Sequence, residues 1–222
     1  FIHKIFEDGY KSKDMKSLMR IAEQERPTYK VPFTDNERMK SCLENFLLWN
    51  AKLGETVSAE MNVNIPLDKK NDITFIGIID RVVKGTEGGY LVIDYKTSKR
   101  EKKKVALMDD NQLKGYAYAI HEMYNVPYDQ IHCSHYYPVT GNFVSVKFSK
   151  WQVEQWKKKQ IEKVWMIRKK KKTEFWSQQN MFCDWCEYQP ACDKFHSASE
   201  VCIRLEEQKG LKEKLNEAKK KG

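Results

Sequence analysis

The sequence predicts an α/β domain, a mixed sheet flanked by helices, and three observations carry that expectation. Two strand-like runs, Asp72 to Val83 and Tyr90 to Thr97, are separated by Gly85, Gly88 and Gly89, and glycine-rich links of this kind favour a hairpin. Apolar residues at helical spacing stand on either side of these runs, as in Met39, Cys42, Phe46 and Trp49. With 222 residues, 41% of them hydrophobic, the chain is long enough to bury the core of a single domain.

The elements follow in order as helix, helix, three strands, helix, two strands, a long helix, a cysteine loop and a last helix. The N-terminal stretch is helical to about Arg26, ahead of Pro27. Thr34 to Glu37 forms a capping box before a helix from Met39 to Leu53. On its apolar stripe Cys42 reads as a small buried hydrophobe. Strands then run from Val57 to Ile65, Thr74 to Val83 and Tyr90 to Thr97. A helix from Asp109 to Tyr124 precedes strands at Ile131 to Tyr137, which contain a structural Cys133, and at Phe143 to Phe148, joined across Thr140-Gly141-Asn142. The helix Lys150 to Arg168 carries Val153, Trp156, Ile161, Val164 and Ile167 at near-helical spacing. Its tryptophans read as core, with stacking on bases as the alternative.

The chemistry concentrates in Gly77-Ile78-Ile79-Asp80-Arg81 and in Leu91-Val92-Ile93-Asp94-Tyr95-Lys96-Thr97. Side chains two apart on a strand share a face, so Asp94 and Lys96 point the same way, as do Ile76, Ile78 and Asp80. A hairpin brings Asp80 close to Asp94. Two carboxylates at that range repel unless a cation lies between them, and hard oxygen donors suit magnesium or manganese. Lys96 beside such an ion can hold a water or stabilise a pentacovalent phosphate. The plainer alternative is an Asp-x-Lys ion pair on an edge strand. Arg81 either neutralises phosphate or pairs with a neighbouring carboxylate, the structural pairing being favoured.

Gly-x-x-Asp-Arg followed by a hydrophobic strand ending in Asp-Tyr-Lys-Thr resembles the RecB-type branch of the PD-(D/E)XK nuclease superfamily, which includes the RecB and AddB nuclease domains and the CRISPR-associated adaptation nucleases. The resemblance implies a restriction-endonuclease-like fold. It makes Asp80 and Asp94 metal ligands, with Asp in place of the commoner Glu at the second position, and Lys96 the catalytic lysine. His3, in Phe1-Ile2-His3-Lys4-Ile5-Phe6-Glu7, matches the branch's upstream histidine and would complete the metal shell together with the backbone carbonyl of Tyr95. Gln112-Leu113-Lys114-Gly115-Tyr116 resembles its Gln-x-x-x-Tyr helix. Four apart, Gln112 and Tyr116 share a helix face that looks toward the active site or DNA, or else packs in the core.

Cys183, Cys186 and Cys192 place three thiols in ten residues, a soft-metal pattern that normally wants a fourth ligand. The spacing is similar to the C-terminal part of the iron–sulfur staple in AddB and the CRISPR-associated nucleases, which implies a 4Fe-4S cluster, with zinc as the runner-up. In those families the fourth cysteine lies upstream of the histidine motif. The expectation here is therefore an N-terminal start that lies outside this sequence, with Cys202 as a weaker substitute. The domain reading is a nuclease domain over 1–182, a cysteine segment over 183–196 that closes the same domain, and a basic helix or tail over 197–222.

Forty Lys and Arg against 31 Asp and Glu give a formal charge of +9, which favours a polyanion. Lys99 to Lys104, with Arg81, Lys99, Arg100 and Lys102 foremost, and Arg168 to Lys172 are the phosphate-contact candidates, whereas Lys219 to Lys221 read as a solvated tail. No stretch approaches the roughly 20 apolar residues that span a bilayer, so the expected location is intracellular. No phosphate-binding Gly-x-x-x-x-Gly-Lys loop is present, so helicase activity would belong to a partner. The resemblance implies a DNA exonuclease acting on single-stranded ends, with a helicase or CRISPR integrase-type protein as possible partner. The alternative is a non-catalytic DNA-binding or scaffold subunit of such a complex.

Overall fold

In the computed structural model, which describes residues 1–30, 36–85, 88–171, 178–189, 192 and 194, the sheet has the order β1-β2-β3-β4-β5. The strands are β1 (Thr56–Asp68), β2 (Ile73–Lys84), β3 (Tyr90–Tyr95), β4 (Ile131–Tyr137) and β5 (Asn142–Val146). Neighbours are antiparallel except β3 and β4, which run parallel. The β2–β3 hairpin expected from the glycines is present, with Gly88 at φ 92°, a left-handed conformation that an L side chain rarely adopts. The parallel step needs a crossover, supplied by α4 (Lys104–Met108) and α5 (Asn111–Tyr124).

Three helices precede the sheet rather than the two expected: α1 (Ile2–Gly9), α2 (Met15–Tyr29) and α3 (Asn36–Asn50). The extra boundary comes from Asp14, whose carboxylate accepts from the Ser17 amide at 2.8 Å and caps α2. The helix also runs past Pro27 instead of stopping before it. Pro27 leaves the Glu23 carbonyl without its usual amide donor, and the helix ends two residues later, where Lys30 adopts a left-handed conformation with its amide on the Arg26 and Pro27 carbonyls. The Thr34 cap lies outside the described residues. α5 starts at Asn111, because Asp110 caps it by accepting from the Gln112 and Leu113 amides. The long C-terminal helix α6 covers Lys150–Lys169, as expected to within one residue.

Each sheet face is covered. On one side α1, α2 and α3 deliver Ile5, Phe6, Leu18, Leu43 and Phe46 onto Val83, Ile93, Tyr95 and Tyr136. On the other, Leu113, Tyr116 and Ile120 of α5 and Val153 and Trp156 of α6 pack with Val82, Val92 and Cys133. Cys42 and Cys133 are both buried, as read from their patterns. Trp156 is core, whereas Trp151 is 70% exposed. Chain contacts divide the molecule into two units, Phe1–Trp165 and Met166–Gly222, so the sheet and its covering layers belong to the first. In the second, the described backbone around the cysteines is a staircase of tight turns, with amides of Cys186, Gln189 and Cys192 bonded to carbonyls of Cys183, Cys186 and Gln189.

Candidate active site

The strand register builds a row of ionisable side chains across four strands. In the β1–β2 pairing Glu60 falls between Ala59↔Arg81 and Met61↔Ile79, opposite Asp80. Continuing the β2–β3 register one step beyond Arg81↔Ile93 sets Asp80 opposite Asp94. Asp94 in turn pairs with His135 of β4. Three carboxylates side by side on one face are mutually destabilising without a cation.

His3 of α1 completes the cluster from the side. Its Nδ1 lies 3.5 Å from Asp80 Oδ2, and donor atoms of His3, Glu60 and Asp80 all fall within 4.8 Å of one another. The ring is held by an edge contact with Tyr95, whose own ring packs on Phe6, so the apolar packing of α1 aims the imidazole. The Tyr95 amide donates to Asp80 Oδ2 at 2.6 Å and orients that carboxylate. Asp80 raises the His3 pKa by accepting a hydrogen bond. Burial, helped by the nearby Asp80, raises that of Glu60. Burial also raises the Asp94 carboxyl to about 6, against the opposing pull of Lys96. Charge-crowded hard donors of this kind fit a divalent cation.

Lys96 lies one residue past β3, which ends at Tyr95 and not at Thr97 as expected, yet its amide continues the parallel ladder onto the Tyr136 carbonyl at 2.8 Å. Its Nζ is 2.5 Å from Asp94 Oδ2 and 3.4 Å from Gln112 Oε1. Gln112 donates to the Tyr116 hydroxyl at 2.7 Å, and that hydroxyl donates to the Ile78 carbonyl at 2.5 Å. The ring of Tyr116 thus lies in the core while its hydroxyl is tied to the lysine through Gln112.

A carboxylate pair, a lysine, and a flanking Gln-x-x-x-Tyr helix stand at one end of a sheet whose order and helical layers suit a PD-(D/E)XK fold. The superfamily profile matches residues 1–193. This chain belongs to the PD-(D/E)XK nuclease superfamily. No curated protein matches the chain.

Two residues in this PD-(D/E)XK centre carry no motif signal. Glu60 has φ 47°, an uncommon left-handed conformation for glutamate, and only the β1–β2 pairing places it opposite Asp80. His135 is fully buried, its Nε2 3.6 Å from Asp94 Oδ2 and 3.8 Å from Asp110 Oδ2. Burial, with Lys96 nearby, lowers its pKa to about 4 and holds the ring neutral. A single histidine inside an apolar strand pattern reveals nothing until the parallel pairing of β3 with β4 is known.

The basic candidates separate. Lys99 and Arg100 are exposed on the segment that follows Lys96. Lys102 is engaged, its Nζ 3.0 Å from Asp110 Oδ2 and its amide donating to the Tyr137 hydroxyl. Arg81 departs from the favoured pairing with a carboxylate. It is turned to the opposite sheet face and donates to Thr56 Oγ1 and Asn50 Oδ1.

For the cysteines, a tetrahedral zinc site would bring thiolate sulfurs within about 4 Å of each other. Among the described residues Cys183, Cys186 and Cys192 do not come together as a close three-ligand group. Cys202 lies outside the described residues. None of the described helices is long and apolar enough to cross a membrane.

Proposed function

We propose that the chain is a divalent-metal-dependent deoxyribonuclease of the RecB-type branch, acting as an exonuclease on DNA ends with single strands preferred. The observation that carries this reading is the Glu60, Asp80, Asp94 row with the Lys96 ammonium against its end. His3, Glu60, Asp80, Asp94 and the Tyr95 carbonyl would hold magnesium or manganese, which would supply Lewis acidity and a coordinated water of lowered pKa. Lys96 is the catalytic residue: held between Asp94 and Gln112, its ammonium is directed at the phosphate or the attacking water. Gln112 and Tyr116 are positioning residues, because they act through Lys96 and the Ile78 backbone. His135 keeps a neutral ring against Asp94 and closes the buried side of the site to water.

A 4Fe-4S cluster on Cys183, Cys186, Cys192 and a further ligand, with zinc as the alternative, is part of this reading on the strength of the cysteine spacing. Visible absorption and iron content of the purified protein test it, and a colourless, iron-free preparation made without oxygen rejects it. The proposed setting is intracellular, with a helicase or integrase-type protein as partner.

The nuclease test uses the wild-type chain and Lys96→Ala on end-labelled single-stranded and duplex DNA with manganese, magnesium or chelator. Metal-dependent degradation by the wild type, lost by at least 100-fold in the variant while DNA binding persists, is the expected outcome. Binding without cleavage under every condition would instead mark a scaffold subunit, and equal cleavage by the variant would reject the role of Lys96.

A further inference from the structure

Arg81 is 2% exposed, yet its hydrogen bonds all go to neutral oxygens, and among the described residues no carboxylate forms an ion pair with it. The guanidinium is stabilised instead by the faces of Tyr10, Phe46 and Trp49, whose centroids lie 5.5, 6.0 and 5.6 Å from Cζ, so its positive charge is not neutralised by any described carboxylate and can still attract an anion. The guanidinium lines a cavity of about 740 Å³ on the sheet face away from the carboxylate row. Lys11 and Lys13 also line it, and Glu55 is its single acidic wall residue. The Tyr10 ring gathers the charge, with Lys11 Nζ 5.4 Å and Arg81 Cζ 5.5 Å from its centroid. Asn50 accepts from Arg81 at 2.7 Å and donates to the Tyr10 carbonyl at 3.0 Å, locking the end of α3 to the turn after α1.

We propose that this cavity is a phosphate-binding site, separate from the metal-binding carboxylates and built on Arg81, Lys11 and Lys13. The planar guanidinium, pre-oriented by Thr56 and Asn50, suits the oxygens of a phosphate, and the two lysines add charge at the mouth. The volume also accommodates the sugar beside that phosphate. The ligand is therefore either a phosphate of a nucleic-acid strand whose path runs past the sheet, or a free phosphate or nucleotide.

The test measures binding in chelator, so it stands or falls independently of cleavage at the carboxylate site. Thermal unfolding of the full chain is followed with inorganic phosphate against chloride at equal ionic strength, for wild type and for the exposed double variant Lys11→Ala with Lys13→Ala. The expected result is a phosphate-specific rise of about 3 °C at ten times the Kd, lost in the double variant. No phosphate-specific rise in the wild type, or a rise undiminished in the double variant, overturns the proposal. A second arm titrates labelled single-stranded DNA. Weaker binding by the double variant, with a salt slope smaller by about 1 to 2, assigns the site to a strand phosphate. Unchanged DNA binding alongside a lost phosphate response assigns it to free phosphate or nucleotide.

Discussion

Glu60 shows what single residues contribute. Its charged form is disfavoured by burial and by Asp80, and its backbone is left-handed, so without metal it is a local cost. Glu60→Gln is expected to stabilise the metal-free protein at pH 7 by roughly 1 kcal/mol, the scale of a like-charge cross-strand pair. In manganese the order reverses, because the wild type gains more from the ion. Urea midpoints with chelator and with manganese check both halves, and a variant no more stable in chelator would remove Glu60 from the crowded row. Asp94 and His135 make opposite contributions to the pH response. A carboxyl raised to about 6 in the fold adds stability below its unfolded value near 3.8 that is lost as pH rises through 6. An imidazole lowered to about 4 acts oppositely, costing stability as pH falls from 6.5 towards 4. The two slopes oppose each other between about pH 4 and 6 in the metal-free chain. Removing one by His135→Gln should leave a variant whose chelator-state stability, relative to its own at pH 7, rises more on acidification to 5 than that of the wild type.

At the scale of elements, the site depends on how closely α5 approaches the sheet. A Cβ at Gly115 would lie 2.5 Å from the Phe75 ring and 3.0 Å from Trp156. Gly115→Ala gains about 1 kcal/mol of helix propensity but forces that aromatic pair apart. The steric loss should win, with net destabilisation of about 1 kcal/mol or more by chemical unfolding. The same shift would move Tyr116 and Gln112, so cleavage should fall further than stability alone explains. Element identities were largely legible, since the hairpin, α5, β4 and α6 follow directly from glycine links and periodicity. The break between α1 and α2 was not, because it depends on one capping carboxylate, nor was the passage of α2 through Pro27, after which the helix continues to Tyr29 and is capped by Lys30.

For the whole molecule, the formal charge of +9 includes Lys99 and Arg100, exposed on the segment that follows Lys96, and Lys11, Lys13 and Arg81, which line one cavity. DNA affinity in chelator should therefore fall steeply with salt, and Lys99→Ala with Arg100→Ala should reduce the log–log slope by about 1 to 2. An unchanged slope would place the strand elsewhere.

The sequence by itself determined the hairpin, the Asp80, Asp94 and Lys96 set, and the Gln112 to Tyr116 face, because strand alternation and helical spacing are local rules. Only the tertiary structure decided that Glu60 and His135 extend the row, since register and parallel pairing join residues 20 to 41 positions apart in the chain. The destination of Arg81 was also tertiary: adjacent residues on a strand face opposite sides, so the neighbour of Asp80 ends beneath α3, bonded to Asn50 and lining a cavity.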